Sequence, residues 1–82
     1  MTRDEIFAEL RRAMVELLEV DADDVGLETT LQGDLDLDSI DAIDLIAKME
    51  DLVGRKLDQD SFRQVRTVGD IVAVVHAHLA TP

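Results

Sequence analysis

Apolar residues recur at three- and four-residue steps in three stretches of this chain. Phe7, Leu10, Met14, Leu17 and Leu18 make the first. The spacing predicts an amphipathic helix of about five turns ending near Val20. Thr2-x-x-Glu5 in front of it reads as a capping box, in which hydroxyl and carboxylate each satisfy a free backbone N–H. Residues 39 to about 53 make the second stretch. On a wheel of 100° per residue, Ala42, Leu45, Ile46, Met49, Leu52 and Val53 fall within roughly 120°. Asp38 is placed to cap this helix, with Asp41 completing a box and Leu37 as a staple. Gly54 is a natural C-cap. Thr67-x-x-Asp70 opens the third, where Val68, Ile71, Val72, Val75 and Leu79 share a face. Leu57, Phe62 and Val65 predict a short helix before it, at roughly 59 to 65. Residues 21 to 38 form a connection longer than the common ~12–15-residue limit for ordinary loops. Val25, Leu27, Leu31, Leu35 and Leu37 give it apolar anchors, so it is expected to lie ordered across the bundle end, with a helical turn near 21 to 24. The expected fold is all-α: a small four-helix bundle, three long helices and one short, with a long loop between the first and second.

Composition narrows what such a bundle does. Its 82 residues allow one domain, 1–82, with little room for an enzyme cleft. Nineteen acids against eight bases give a net charge of −11. Nucleic acid and anionic membrane surfaces are therefore unsuited partners. No cysteine is present, which excludes disulfides, thiolate catalysis and Cys-based metal sites. No apolar run approaches the ~18 residues of a membrane span. The acidic N-terminus is unlike a signal peptide, so the cytoplasm is the expected location. Phe7 and Phe62 are the only aromatics, too few for a base-stacking surface.

The second helix departs from a simple two-faced pattern. Opposite its core stripe lie Ile40, Ile43 and Ala47, interleaved with Asp44, Glu50 and Asp51. Neighbouring apolar residues rimmed by acids suit a protein-binding strip. The competing reading packs Ile40 and Ile43 beneath the long loop. Asp44 and Asp51 also stand four residues before Lys48 and Arg55, a spacing that supports a helix. Ser39 is redundant as a cap, because Asp38 and Asp41 already form one. A phosphate ester on Ser39 would meet the free N–H groups and positive end of the helix.

Asp34-Leu35-Asp36-Leu37-Asp38-Ser39-Ile40-Asp41 resembles the modification motif of acyl carrier proteins, usually Asp-Leu-Gly-x-Asp-Ser-Leu-Asp. The resemblance covers essentially the whole chain, including Arg66-Thr67-Val68-Gly69-Asp70 at the start of the last helix. It implies that Ser39 carries 4′-phosphopantetheine from coenzyme A, whose thiol holds acyl groups as thioesters. It implies as partners a phosphopantetheinyl transferase, ketosynthase, ketoreductase, dehydratase and acyl-loading or acyl-transfer enzymes. Asp34, Asp38, Asp44, Glu50 and Asp51 would steer basic partner surfaces, while Ile40, Ile43 and Ala47 make apolar contact. Asp36 stands where the family usually has Gly, and Ile40 where it has Leu. The stretch Asp38 to Leu45, with Phe62 to Val68, is more similar to carriers of dedicated pathways built from fatty-acid-synthase-like enzymes, such as aryl polyene synthesis, than to housekeeping fatty-acid carriers, so fatty acid, polyketide or aryl polyene type biosynthesis is the expected setting. Peptidyl carriers usually have Gly-Gly before the serine, and this chain does not. Because the chain starts and stops at helix boundaries, a free-standing carrier, monomeric when free, is expected.

Three other readings compete with a carrier. Asp34, Asp36 and Asp38 fall on positions one, three and five of an EF-hand loop, but Ser39 and Leu45 stand where Gly and Glu are required. No metal site is expected. An acidic interaction module without covalent modification is the main alternative to a carrier. An enzyme is disfavoured: His76 and His78 are two apart, which on a helix places them on different faces, and Ser39 has no base nearby in sequence.

Overall fold

A computed structural model describes residues 1–57 and 59–80, apart from the side chains of Ser39 and Gln59. Helix α1 spans Arg3–Leu18, α2 spans Ser39–Val53 and α3 spans Val68–Ala80. Each begins as its sequence dictates. The Thr2/Glu5 and Asp38/Asp41 boxes are both reciprocal. At α3 the Asp70 N–H donates to Thr67 Oγ1 (3.2 Å) and the Thr67 N–H to Asp70 Oδ2 (3.1 Å). Gly54 ends α2 at φ 72°, a left-handed conformation that glycine adopts without a Cβ penalty.

Helix α1 packs against both α2 and α3, which meet each other only sparingly. Ile6, Leu10, Met14, Met49, Val68 and Val75 are fully buried at the centre. Val25 and Leu37 bring the connecting loop into the same core, and Leu31 and Leu35 pack half-buried against it. A 3₁₀ turn occupies Ala22–Asp24, where a helical turn is expected.

Four expectations need correction. Residues 59 to 65 are not a short α-helix: a 3₁₀ turn covers Gln59–Phe62, and the Arg63 and Val65 N–H groups reach back three residues, to Asp60 and Phe62. The spacing explains this. Leu57 and Phe62 are five apart, about 140° on an α-helix, whereas three-residue bonds put Phe62 and Val65 on one side. The described residues thus form three α-helices and two 3₁₀ turns. Leu17 is exposed, and Ile6 and Ala13 complete the α1 face instead. Its angle is right, but it stands in the last turn, and a periodicity fixes direction without supplying a partner. Leu52, at the edge of the α2 stripe, is also exposed. Leu27 is half-exposed and anchors the loop by its carbonyl, which accepts the Gly69 N–H at 2.8 Å.

Candidate functional site

The long loop is fastened to the start of α3. Besides the Leu27–Gly69 bond, the Val68 N–H donates to the Thr29 carbonyl (3.0 Å) and the Leu31 N–H to the Arg66 carbonyl (2.9 Å). Thr30 and Thr67 form an isolated antiparallel bridge between them. Inside the loop, the Gly26 N–H donates to Thr29 Oγ1 (2.8 Å), whose hydroxyl donates to the Asp24 carbonyl (3.0 Å). Thr30 and Asp34 bond reciprocally: the Thr30 N–H donates to Asp34 Oδ2 and the Asp34 N–H to Thr30 Oγ1, both at 2.9 Å. The Thr30 backbone N–H, and secondarily its hydroxyl, hold the Asp34 carboxyl below the usual aspartate range. Asp36 then adopts a left-handed conformation, φ 54°, and its N–H donates to the Gln32 carbonyl (3.2 Å). At the position where the resembled motif usually has glycine, the turn thus takes a left-handed residue, and Asp is one of those that tolerate it.

This turn delivers the chain to Asp38 and the start of α2. The Asp41 N–H donates to Asp38 Oδ1 at 2.9 Å. Ser39 is the first helical residue, and its side chain lies outside the described residues. Helix starts leave N–H groups without intrahelical acceptors, and the positive dipole end lies there. An anionic ester at this position is stabilised by both.

On the outer face of α2, Ile40 is 68% and Ile43 55% exposed. Ala47, Asp44 and Asp51 are exposed beside them. The loop does not cover the isoleucines, so packing beneath it is ruled out. Glu50 is only half-exposed: its Oε2 accepts the Leu57 N–H at 2.8 Å and tethers the segment after α2. The expected Asp44–Lys48 and Asp51–Arg55 pairs do not form among the described residues, where ion pairs join Glu9 to Arg12 and Asp60 to Arg63. Arg55 instead donates through an Nη1–H to the His78 carbonyl (2.9 Å).

Behind Asp38 opens a cavity of about 570 Å³. Its floor is apolar: Leu37, Leu45, Ile46, Met49, Phe62 and Ile71. Thr30, Gln32, Asp38, Arg63 and Arg66 line its polar parts. This volume falls within the range of small-ligand sites, roughly 300–1,000 Å³. Sequence periodicity gave no warning of it, because the same residues read as ordinary core. The Thr30/Asp34 pairing, a Thr with an acid four residues on, was the available signal for how the loop is held.

The acidic loop and His78 make other bonds, to backbone groups. Asp34 and Asp38 turn their carboxylates to backbone N–H groups of different turns. Among the described residues no group of His, Asp or Glu is arranged to hold a metal. His78 Nδ1 lies 2.8 Å from the Val74 carbonyl, a bond within its own helix. No described helix is long and apolar enough to cross a membrane.

Comparison with known proteins agrees with this arrangement. A family model described as the phosphopantetheine attachment site matches residues 8–75. Acyl carrier protein 2 of Ralstonia nicotianae is 41% identical over 80 residues, covering 98% of this chain and 99% of that protein. The acyl carrier protein of Thermotoga maritima is 37% identical over 78 residues, covering 95% and 96%. That of Lactobacillus acidophilus is 35% identical over 78 residues, covering 95% and 98%.

Proposed function

The chain belongs to the acyl carrier protein family, a family of carriers and not of enzymes, and we propose that Ser39 is where it bears its 4′-phosphopantetheine. The carrying observation is positional. Ser39 is the first residue of α2, the helix is already capped by Asp38 and Asp41, and Asp38 borders the cavity. A serine that capping does not require, at the positive end of a helix, suits a phosphodiester. The bound arm supplies a thiol that holds acyl groups as thioesters, which fits a chain without cysteine. The apolar floor of the cavity shelters part of the acyl chain. Core amide shifts that stay unchanged between the holo and acyl forms would count against that sheltering.

The outer face of α2 is the partner surface in this reading. Ile40, Ile43 and Ala47 supply apolar contact, and Asp38, Asp44 and Asp51 attract basic enzyme surfaces. Asp34 and Glu50 add to the field, although each already bonds a backbone N–H. Such steering acts chiefly on association rate and weakens with salt. Transferase or ketosynthase association that is insensitive to ionic strength would exclude this role. Asp36, Ile40 and the Phe62–Val68 stretch support a dedicated pathway of fatty-acid-synthase-like enzymes, aryl polyene synthesis among them. Extension assays with ketosynthases of the competing pathways test that choice, and equal turnover by all of them would remove it.

Intact-mass measurement tests the attachment site. After incubation with coenzyme A and a broad-range phosphopantetheinyl transferase, the parent should gain one phosphopantetheine and Ser39→Ala none. A gain in Ser39→Ala overturns the assignment. No gain in a folded parent favours an acidic interaction module.

A further inference from the structure

We propose that Arg66, with Arg63 beside it, forms a cationic lip on the cavity that binds an oxyanion carried on the arm. The inference rests on attachment at Ser39 and concerns what the attached group presents.

Charge balance points there first. Acids outnumber bases 19 to 8 in the chain, yet the charged residues lining the cavity are Asp38, Arg63 and Arg66. Among the described lining residues the overall sign is inverted. Position points there second. The Arg66 carbonyl accepts the Leu31 N–H (2.9 Å), and the Arg66 N–H donates to Asp70 Oδ2 (3.1 Å). The backbone is thus pinned on both sides, so an exposed guanidinium leaves the loop from a fixed point.

Pairing points there third. The nearby Asp70 carboxylate accepts the Arg66 and Thr67 N–H groups and feels the Arg66 charge only weakly, as the last of the causes that lower it, and Arg66 joins none of the ion pairs among the described residues. Arg63 meets Asp60 at 3.3 Å, but both side chains are largely exposed, and such pairs exchange readily for a better acceptor.

A guanidinium offers five donors and no acceptor, in a fork that matches phosphate and carboxylate oxygens. An alkyl chain ending in methyl has no such group and matches only the floor. Two oxyanions are available on a loaded arm: the phosphodiester at its root, and the far carboxylate of a dicarboxylic half-thioester such as malonyl.

Nitrogen-15 NMR of the arginine Nε–Hε groups separates them. Apo, holo, acetyl and malonyl forms are prepared with the transferase from the corresponding coenzyme A thioesters, and loading is verified by intact mass. The Arg66 signal should shift from apo to holo if the phosphodiester is bound. It should shift from holo to malonyl, and not from holo to acetyl, if the carboxylate is bound. The melting temperature gained in that same step should be lost in Arg66→Gln, a change at an exposed side chain. A loaded chain whose Arg66 signal stays in place through all four forms overturns the inference alone. So does an Arg66→Gln variant that keeps the full gain. A chain that gains no mass overturns the attachment reading, and this inference with it.

Discussion

Asp36 allows a substitution whose magnitude can be worked from the structure. It holds φ 54° three residues before Ser39, is exposed, and its carboxylate makes no hydrogen bond or ion pair among the described residues. Replacing it therefore removes charge and changes backbone preference, and little else. A left-handed conformation costs an ordinary L-residue about 1–2 kcal/mol, with Asp and Asn among those that tolerate it best. Glycine escapes that cost but gives up about 0.4–1 kcal/mol through the larger entropy of its unfolded chain. Asp36→Gly is thus expected to match the parent closely, and Asp36→Ala to be less stable than Asp36→Gly by about 1 kcal/mol. Both variants lose one negative charge, so electrostatics cancels between them. For 82 residues the difference corresponds to about 6 °C in melting temperature. Thermal and urea unfolding followed by circular dichroism measure it. Ala47→Gly is the internal control: position 47 lies in α2, where glycine should instead cost about 1 kcal/mol. An Asp36→Ala variant as stable as Asp36→Gly would refute the argument that the turn before Ser39 selects for glycine-like freedom.

Further outcomes follow from other contacts. A Cβ on Gly69 would stand 2.9 Å from the Leu27 carbonyl oxygen, so Gly69→Ala should destabilise despite alanine's helix preference; a gain in melting temperature would show that this clamp gives way. The carboxyls of Glu5, Asp34 and Asp70 are each lowered first by backbone hydrogen bonds, from Thr2, from Thr30 and from Arg66 respectively. A lowered pKa in the fold means stability fully present above the unfolded value and lost as pH falls through the folded one. Acid titration should therefore show stability declining below about pH 4, and Thr67→Val should lessen the Asp70 part of that decline; a profile flat to pH 2 would contradict it. Self-repulsion at −11 should make the melting temperature rise with salt and with millimolar Mg²⁺ or Ca²⁺, and no shift with either would contradict this account. A larger rise with calcium at matched ionic strength would reveal a specific site. Amide exchange should be faster at Arg63 and Val65 than at Leu31 and Val68, and the reverse order would mean the 3₁₀ segment is the firmer wall.

The parts of the fold that were legible are those written in local chemistry. Thr2 with Glu5, Asp38 with Asp41, and Thr67 with Asp70 mark three helix starts, because a cap depends on residues three apart and on nothing distant. Gly54 marks an end for the same reason. What was not legible depends on partners far along the chain. Leu17 and Leu52 have core-like positions, but nothing lies fully over them. Leu27 anchors by its carbonyl, and no side-chain pattern encodes that. The 59 to 65 segment has too few apolar positions to separate a three-residue from a four-residue repeat. No sequence pattern marks Arg63 and Arg66, since only the folded loop brings them to the cavity. The exposed strip on α2 was legible because it violates the two-faced pattern, and the choice between strip and covered residues needed the loop's actual path.

That violation also bears on how one short helix serves two ligands. Leu45, Ile46 and Met49 face the cavity, while Ile40, Ile43 and Ala47 face solvent. The loop wall of the cavity is bonded to α3 through Leu27, Thr29 and Leu31, and α1 packs on both long neighbours. Those three parts move only with the loss of several hydrogen bonds or of core burial. The remaining wall, Asp60 to Val65, has only Phe62 and Val65 half-buried and is held by three-residue turns. Opening is least costly there. On the proposed reading, a cargo entering between α2 and this segment displaces the side that carries Arg63 and leaves Arg66, bonded to Leu31 and Asp70, and the outer face of α2 in place. On that reading, enzyme docking and cargo shelter use opposite faces of α2, and an arm borne on Ser39, in its first turn, reaches either one.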